Sequence, residues 1–143
     1  MGDGAIYTCK KCGTTKNIFT GNGMVSFCEE QLFDFNNKYG NIISRCITDR
    51  IQNLEELRKF LKLDNMKIMK NFEDEVYICD NCKNITTKFK FTLVADTKRF
   101  RPIYNCELCN HKLRPVSKKE EYNIICPKCG DKGLKDISLV NWD

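Results

Sequence analysis

Four Cys-x-x-Cys pairs constrain this chain more than anything else in it: Cys9/Cys12, Cys79/Cys82, Cys106/Cys109 and Cys126/Cys129. Two thiolates separated by two residues can grip one metal ion from a tight turn, and a second pair completes a tetrahedron. Eight such thiols read as two four-thiolate sites. At 143 residues, the chain is one ordinary domain or two very small ones. Small ribbons bury little core, so metal binding supplies much of their folding free energy. The expected fold is small α+β: two zinc-ribbon or rubredoxin-like knuckle pairs, short antiparallel strands and a helical insertion.

Spacing favours one pairing of the pairs. Between Cys109 and Cys126 lie 16 residues, inside the range of about 15–20 found in zinc ribbons. That joins Cys106, Cys109, Cys126 and Cys129, and leaves Cys9, Cys12, Cys79 and Cys82 by elimination. It divides the chain at residue 82, with a first ribbon over 1–82 and a second over 83–143. The crossed pairing, 9/12 with 126/129 and 79/82 with 106/109, stays open. Zinc, two ions per chain, is the expected metal, because four thiolates suit a redox-inert d10 ion. Iron is the less favoured metal. Rubredoxin-type knuckles carry Gly after the second Cys, as at Gly13 and Gly130, whereas Lys83 and Asn110 follow the other two pairs.

Hydrophobic periodicity sketches the rest. Ile6–Cys9 and Ile18–Thr20 read as strands around the first knuckle, and Gly21-Asn22-Gly23 as a turn. Ser26 with Glu29 fits a capping box, followed by Cys28, Leu32, Phe35 and Tyr39 at helical spacing and Gly40 as a stop. Asn41 can cap a second helix with Ile42, Ile43, Cys46, Ile47 and Ile51. Asn53 with Glu56 repeats the box for a third, with Leu54, Leu57, Phe60 and Leu61. Residues of about 26–62 thus form the helical insertion. From Phe72 the period becomes two: Val76–Cys79, then Ile85–Ala95, a turn at Asp96-Thr97-Lys98, a return strand Arg99–Tyr104, and short strands Leu113–Val116 and Tyr122–Ile125. Cys28 and Cys46 lie on apolar helical stripes and read as buried small hydrophobes.

The thiol pattern implies a reducing, cytoplasmic compartment. No signal-peptide pattern opens the chain, and Ile6 stands where a myristoylation site wants Ser or Thr. No apolar run approaches the roughly 20 residues needed to span a bilayer. Nothing assembles for catalysis. A triad needs a histidine base, and His111, the one histidine, sits beside a knuckle. Closed all-Cys sites leave no open coordination position. No small-molecule substrate is evident.

The net charge of +5 is unevenly spread. Residues 1–82 carry 11 Lys/Arg against 12 Asp/Glu, residues 83–119 carry 10 against 2, and residues 120–143 carry 3 against 5. Such local excess points to a polyanionic partner. If Ile85–Ala95 pairs with Arg99–Tyr104, then Lys88, Lys90, Arg99 and Arg101 share one face while Phe89, Phe91, Phe100 and Tyr104 pack inward. Lys112 and Arg114, with Lys83, Lys98, Lys118 and Lys119, extend the cationic face, which can track phosphates without reading sequence. The expected function is therefore a non-enzymatic metal-binding module that binds nucleic acid. The alternatives are contact with an acidic protein surface, an adapter that docks through the helical insertion, and a thiol-based redox or metal sensor.

Met1-Gly2, Tyr7-Thr8-Cys9-Lys10-Lys11-Cys12-Gly13, Gly21-Asn22-Gly23-Met24, Cys126-Pro127-Lys128-Cys129-Gly130 and terminal Trp142-Asp143 together resemble a family of uncharacterised small two-zinc-ribbon proteins of low-GC bacteria. The resemblance spans most of the chain, and the basic 83–119 stretch departs from it. It implies a scaffold and its ligands, with no activity to carry over.

Overall fold

The computed structural model describes residues 2–21, 28–36, 41–117, 119–120, 123–132 and 134–142. Among these residues it is a small α+β structure of antiparallel strands and three short helices. Strand β1 (Gly2–Cys9) and β2 (Thr15–Gly21) form a hairpin around the first knuckle, in register from Gly2↔Gly21 to Thr8↔Thr15. Three helices follow: α1 (Glu29–Phe33), α2 (Ile42–Thr48) and α3 (Leu54–Phe60). After β3 (Lys67–Ile68), β4 (Glu73–Cys79) and β5 (Ile85–Lys90) form a second hairpin around the second knuckle. Then come β6 (Leu93–Ala95), β7 (Lys98–Phe100), β8 (Leu113–Pro115) and β9 (Leu134–Trp142). The larger sheet runs β5-β4-β2-β1-β9 with β8 also on β4, and the smaller runs β3-β6-β7.

Strand β4 explains why residues 76–79 are continuously apolar: both of its faces are buried, so alternation gives way to a run. Val76 and Ile78 pack with Tyr7, Ile18, Ile85, Val116 and Ile124. Tyr77 and Cys79 pack on the other side with the helices and with Phe89, Phe91, Leu93, Phe100 and Tyr104. The aromatic rings of this second core lie close, Phe89–Phe91 at 5.4 Å, Tyr77–Tyr104 at 5.5 Å and Phe60–Phe100 at 6.0 Å between centroids. Each fully buried side chain of this size contributes about 1.5–3 kcal/mol. The helices close this core with Leu32, Ile42, Cys46 and Leu57, all fully buried.

Local sequence signals succeed at Asn41 and fail at Asn53. Asn41 Oδ1 accepts from Ile43 N at 2.7 Å and from Ser44 N at 3.4 Å, so it caps α2. Asn53 makes no cap; its Oδ1 accepts from Ile103 N at 2.9 Å and its Nδ2 donates to Arg101 O at 3.0 Å, stitching the helices to a distant segment. Helix α1 is shorter than the periodicity suggests, and Phe35 is exposed rather than on a buried stripe. The expected Gly21–Gly23 turn, the Ser26 cap, Tyr39 and the Gly40 stop extend outside the described residues.

The long strand expected over residues 85–95 is two strands in two sheets. Phe91, 1% exposed, turns into the core, and Met69 N donates to Thr92 O at 2.9 Å. Asp96-Thr97 then makes the two-residue hairpin turn between Ala95 and Lys98, with Asp96 at φ +52°, as such turns require. The return strand stops at Phe100, ahead of Pro102, since proline cannot donate to a ladder.

Candidate metal centres and a basic groove

All four Cys-x-x-Cys turns have one backbone design. The first Cys carbonyl accepts from the residue four on, and its N–H reaches the carbonyl five on. Gly13 N–Cys9 O is 2.8 Å, Lys83 N–Cys79 O 2.8 Å, Asn110 N–Cys106 O 2.9 Å and Gly130 N–Cys126 O 2.9 Å. The residue after the second Cys takes the left-handed conformation each time: Gly13 at φ +72°, Lys83 +63°, Asn110 +62° and Gly130 +74°. Glycine holds this without cost and asparagine cheaply. Lys83 carries the strain at the second knuckle, where its Nζ donates to Asp80 O at 2.7 Å. The N–H two residues beyond the second Cys then points at that sulfur, at Thr14, Asn84, His111 and Asp131.

The thiols come together in the crossed arrangement. Cys9, Cys12, Cys126 and Cys129 form one cluster, and Cys79, Cys82, Cys106 and Cys109 the other, with the four sulfurs of each within 4.8 Å of one another. The pairing favoured by spacing is therefore corrected. Sheet register decides it: β9 runs beside β1 with Leu134 opposite Cys9, which carries the fourth knuckle to the first. Strand β8 runs beside β4 with Leu113 opposite Cys79, which carries the third knuckle to the second. One ribbon is thus nested inside the other, and β4 and β5 pair across the expected division at residue 82.

Both clusters fit a metal ion. Cross-pair sulfurs lie at 3.6 Å (Cys9–Cys129 and Cys12–Cys126), 3.4 Å (Cys79–Cys109) and 3.5 Å (Cys82–Cys106). A tetrahedron with metal–sulfur bonds of about 2.3 Å has edges of about 3.8 Å. The protonation of the bare thiols is uneven. The Thr14 hydroxyl and N–H hold Cys12 down to about 6, and the His111 N–H holds Cys109 down to about 5. The N–H groups of Asn84 and Asp131 favour thiolate at Cys82 and Cys129, yet burial and neighbouring sulfurs push both up to about 12. Sulfurs this close ionise together only around a cation, which is the environment a divalent metal supplies.

No motif in the sequence marks Asn84, which is buried against the second site. Its Nδ2 lies 3.8 Å from Cys106 Sγ, a contact of the kind that orients metal ligands. Only its position, two residues past Cys82, hints at the role. His111 is exposed on the knuckle surface, its Nδ1 3.2 Å from Cys109 O, and the second site closes without it. Cys28 is half-buried. Cys46 is fully buried, and burial pushes its thiol up to about 12.

The cations expected to share one face do not. Strand β5 pairs β4 instead of β7, so Lys88 lies opposite Glu75 and Lys90 opposite Glu73. Lys88 is only 3% exposed and belongs to the interior: its Nζ donates to Asp49 O at 3.1 Å and to Glu107 Oε1 at 3.3 Å. Asp49 also takes Phe89 N on Oδ2 at 3.0 Å. Beside it, Arg45 pairs with Asp74 and stacks 4.1 Å from the Phe89 ring centroid. Burial raises the carboxyls of both Asp49 and Asp74.

Four of the remaining candidates meet elsewhere. Lys90, Arg101, Lys112 and Arg114 line one groove of about 640 Å³, whose apolar lining includes Met69, Phe91, Pro102, Ile103 and Pro115. Among the described residues these four are its only charged lining. Lys90 pairs with Glu75 at 2.6 Å, and Arg114 pairs with Asp80 at 2.8 Å and Glu120 at 2.9 Å. Arg101 and Lys112 are exposed and make no ion pair among the described residues, and the same holds for Lys98 and Arg99 at the β6–β7 turn. No helix among the described residues is long and apolar enough to cross a membrane. No family model, curated protein or solved structure matches the chain.

Proposed function

We propose that this chain is a non-enzymatic module, organised by two zinc ions, that binds nucleic acid through the basic surface of residues 83–119. The reading keeps the resemblance to small two-zinc-ribbon proteins of low-GC bacteria and the reducing, cytoplasmic setting that eight metal-binding thiolates require. Its main support is the group of exposed cations Lys98, Arg99, Arg101 and Lys112, which no acidic side chain among the described residues neutralises. Net charge does not carry the reading. Each tetrathiolate around one divalent ion adds a charge of about −2, so two loaded sites bring the +5 of the sequence to about +1. Attraction to phosphates must then be local, from cations grouped in space. Zinc is preferred over iron because four closed thiolate ligands suit an ion with no redox role.

The test is fluorescence anisotropy of the zinc-loaded chain with labelled single-stranded and duplex DNA and RNA at low salt. Reversing Lys98, Arg99, Arg101 and Lys112 to Glu should abolish binding to every nucleic acid. Unchanged binding, or none in the native chain, ends the reading. An adapter reading has one observation in its favour, the exposed apolar Phe35 and Ile47 on the helical part. A partner captured by the native chain and lost on Phe35→Ser/Ile47→Ser would replace nucleic acid with protein.

A further inference from the structure

We infer that the groove lined by Lys90, Arg101, Lys112 and Arg114 takes a single-stranded segment of nucleic acid, phosphates on the cations and bases over the apolar floor. This rests on the nucleic-acid reading above and deepens it. The groove is concave, and its volume of about 640 Å³ lies within the range of about 300–1,000 Å³ typical of ligand sites. A duplex is read by an element that projects into its groove, and a hollow offers no such projection. A single strand presents bases and phosphates together, the combination met by a cationic channel with apolar walls.

The lining matches that combination. Among the described residues, every charged side chain in it is a cation. Lys90 and Arg114 are held in place by Glu75, Asp80 and Glu120. Arg101 and Lys112, exposed and unpaired among the described residues, are left to meet phosphates. The floor is apolar and partly open: Met69 is 38% exposed, and Pro102, Ile103 and Pro115 are at least partly exposed. Phe91 and Tyr77 are buried beneath it, so the bases rest on aliphatic surface and proline rings rather than between exposed aromatics. The cations come from separate segments, β5, the 101–103 stretch and the third-knuckle return through β8. The inner metal cluster fixes the last of these, because Leu113 follows the third knuckle and pairs with Cys79.

The experiment separates groove from surface. Labelled oligonucleotides of about a dozen nucleotides, single-stranded and as duplexes, are titrated with the zinc-loaded chain, with Arg101→Glu/Lys112→Glu, and with Lys98→Glu/Arg99→Glu. Both variants change exposed side chains, and retained metal content checks their folding. The inference expects single strands to bind tighter than duplex. It expects the groove variant to lose about tenfold or more in single-strand affinity and about 1.4 in the magnitude of the salt slope, and the Lys98/Arg99 variant to lose less. Tighter duplex binding, or a loss confined to the Lys98/Arg99 variant, would overturn the groove while leaving nucleic-acid binding intact. Displacement of the single strand by a polyglutamate peptide of equal charge at equal concentration would overturn it in favour of an acidic protein segment. No binding by any nucleic acid ends both readings.

Discussion

Replacing Lys88 by Glu should damage folding rather than binding. Its side chain is 3% exposed, and its ammonium is fixed by the Asp49 carbonyl at 3.1 Å and Glu107 at 3.3 Å, above the Tyr104 ring. Hydrogen bonds to a charged group contribute about 1.5–3 kcal/mol each, and a charge left unpaired at a buried position costs about 3–5 kcal/mol. The new carboxylate also faces Asp49 and Glu107 with the same charge. Lys88→Glu is therefore expected to lose about 3–5 kcal/mol. Lys88→Met keeps the aliphatic stem and lets half-exposed Glu107 turn to water. It leaves the Asp49 carbonyl unpaired, at about 1–3 kcal/mol. Against a total stability of about 5–15 kcal/mol, the ranking Glu worse than Met worse than wild type is readable by urea denaturation at fixed free zinc. Folded protein should keep its single-strand affinity in the Met variant. A Lys88→Glu chain with the wild-type midpoint and weakened binding would refute this placement and return Lys88 to the surface.

Asn41→Ala should cost about 1–2 kcal/mol, because its side chain caps α2 and also donates to Asp34 O at 3.1 Å; urea denaturation reads it. Alkylation of the metal-loaded chain at pH 8 should mark Cys28 and spare Cys46, which is buried with its thiol pushed up to about 12; peptide mass mapping that finds Cys46 modified in folded protein would contradict the core. Asp49, half-buried, titrates above its ordinary 3.8. Its raised folded value means the folded state holds the extra proton, so its contribution is present below 3.8 and is lost as pH rises through the folded value. The stability of the native chain relative to Asp49→Asn should accordingly fall as pH rises from about 4, and a difference that grows with pH would reverse the sign.

What could be seen in the sequence was local. Each knuckle announces its own turn, since two Cys and the next three or four residues suffice to build it. Asn41 announces its helix because a cap acts on N–H groups two and three residues away. The pairing of the knuckles was not legible. A spacing of 16 residues suits a ribbon, but β9 must cross the length of the chain to lie on β1, and no short-range signal records that register. The period-two run over residues 85–95 looked like one strand because Phe91 continues the alternation while turning into a different sheet. Lys88 looked exposed because lysine usually is; its acceptors, Asp49 and Glu107, lie 39 and 19 residues away. Asn53 had the sequence of a cap and was drawn instead to the backbone of residues 101–103. The groove combines five separate stretches of chain, and its cations come from three of them, so the cations could be named individually without their shared site being visible.

The nested pairing is tested most directly by metal retention in two double variants. Cys12→Ser/Cys129→Ser removes two ligands from one cluster, and Cys12→Ser/Cys82→Ser removes one from each. Native mass and metal analysis after challenge with a competing chelator should find one ion retained in the first variant and none in the second. The opposite result, one ion held by Cys12→Ser/Cys82→Ser and none by Cys12→Ser/Cys129→Ser, would put Cys12 with Cys82 in one site and contradict the nested fold.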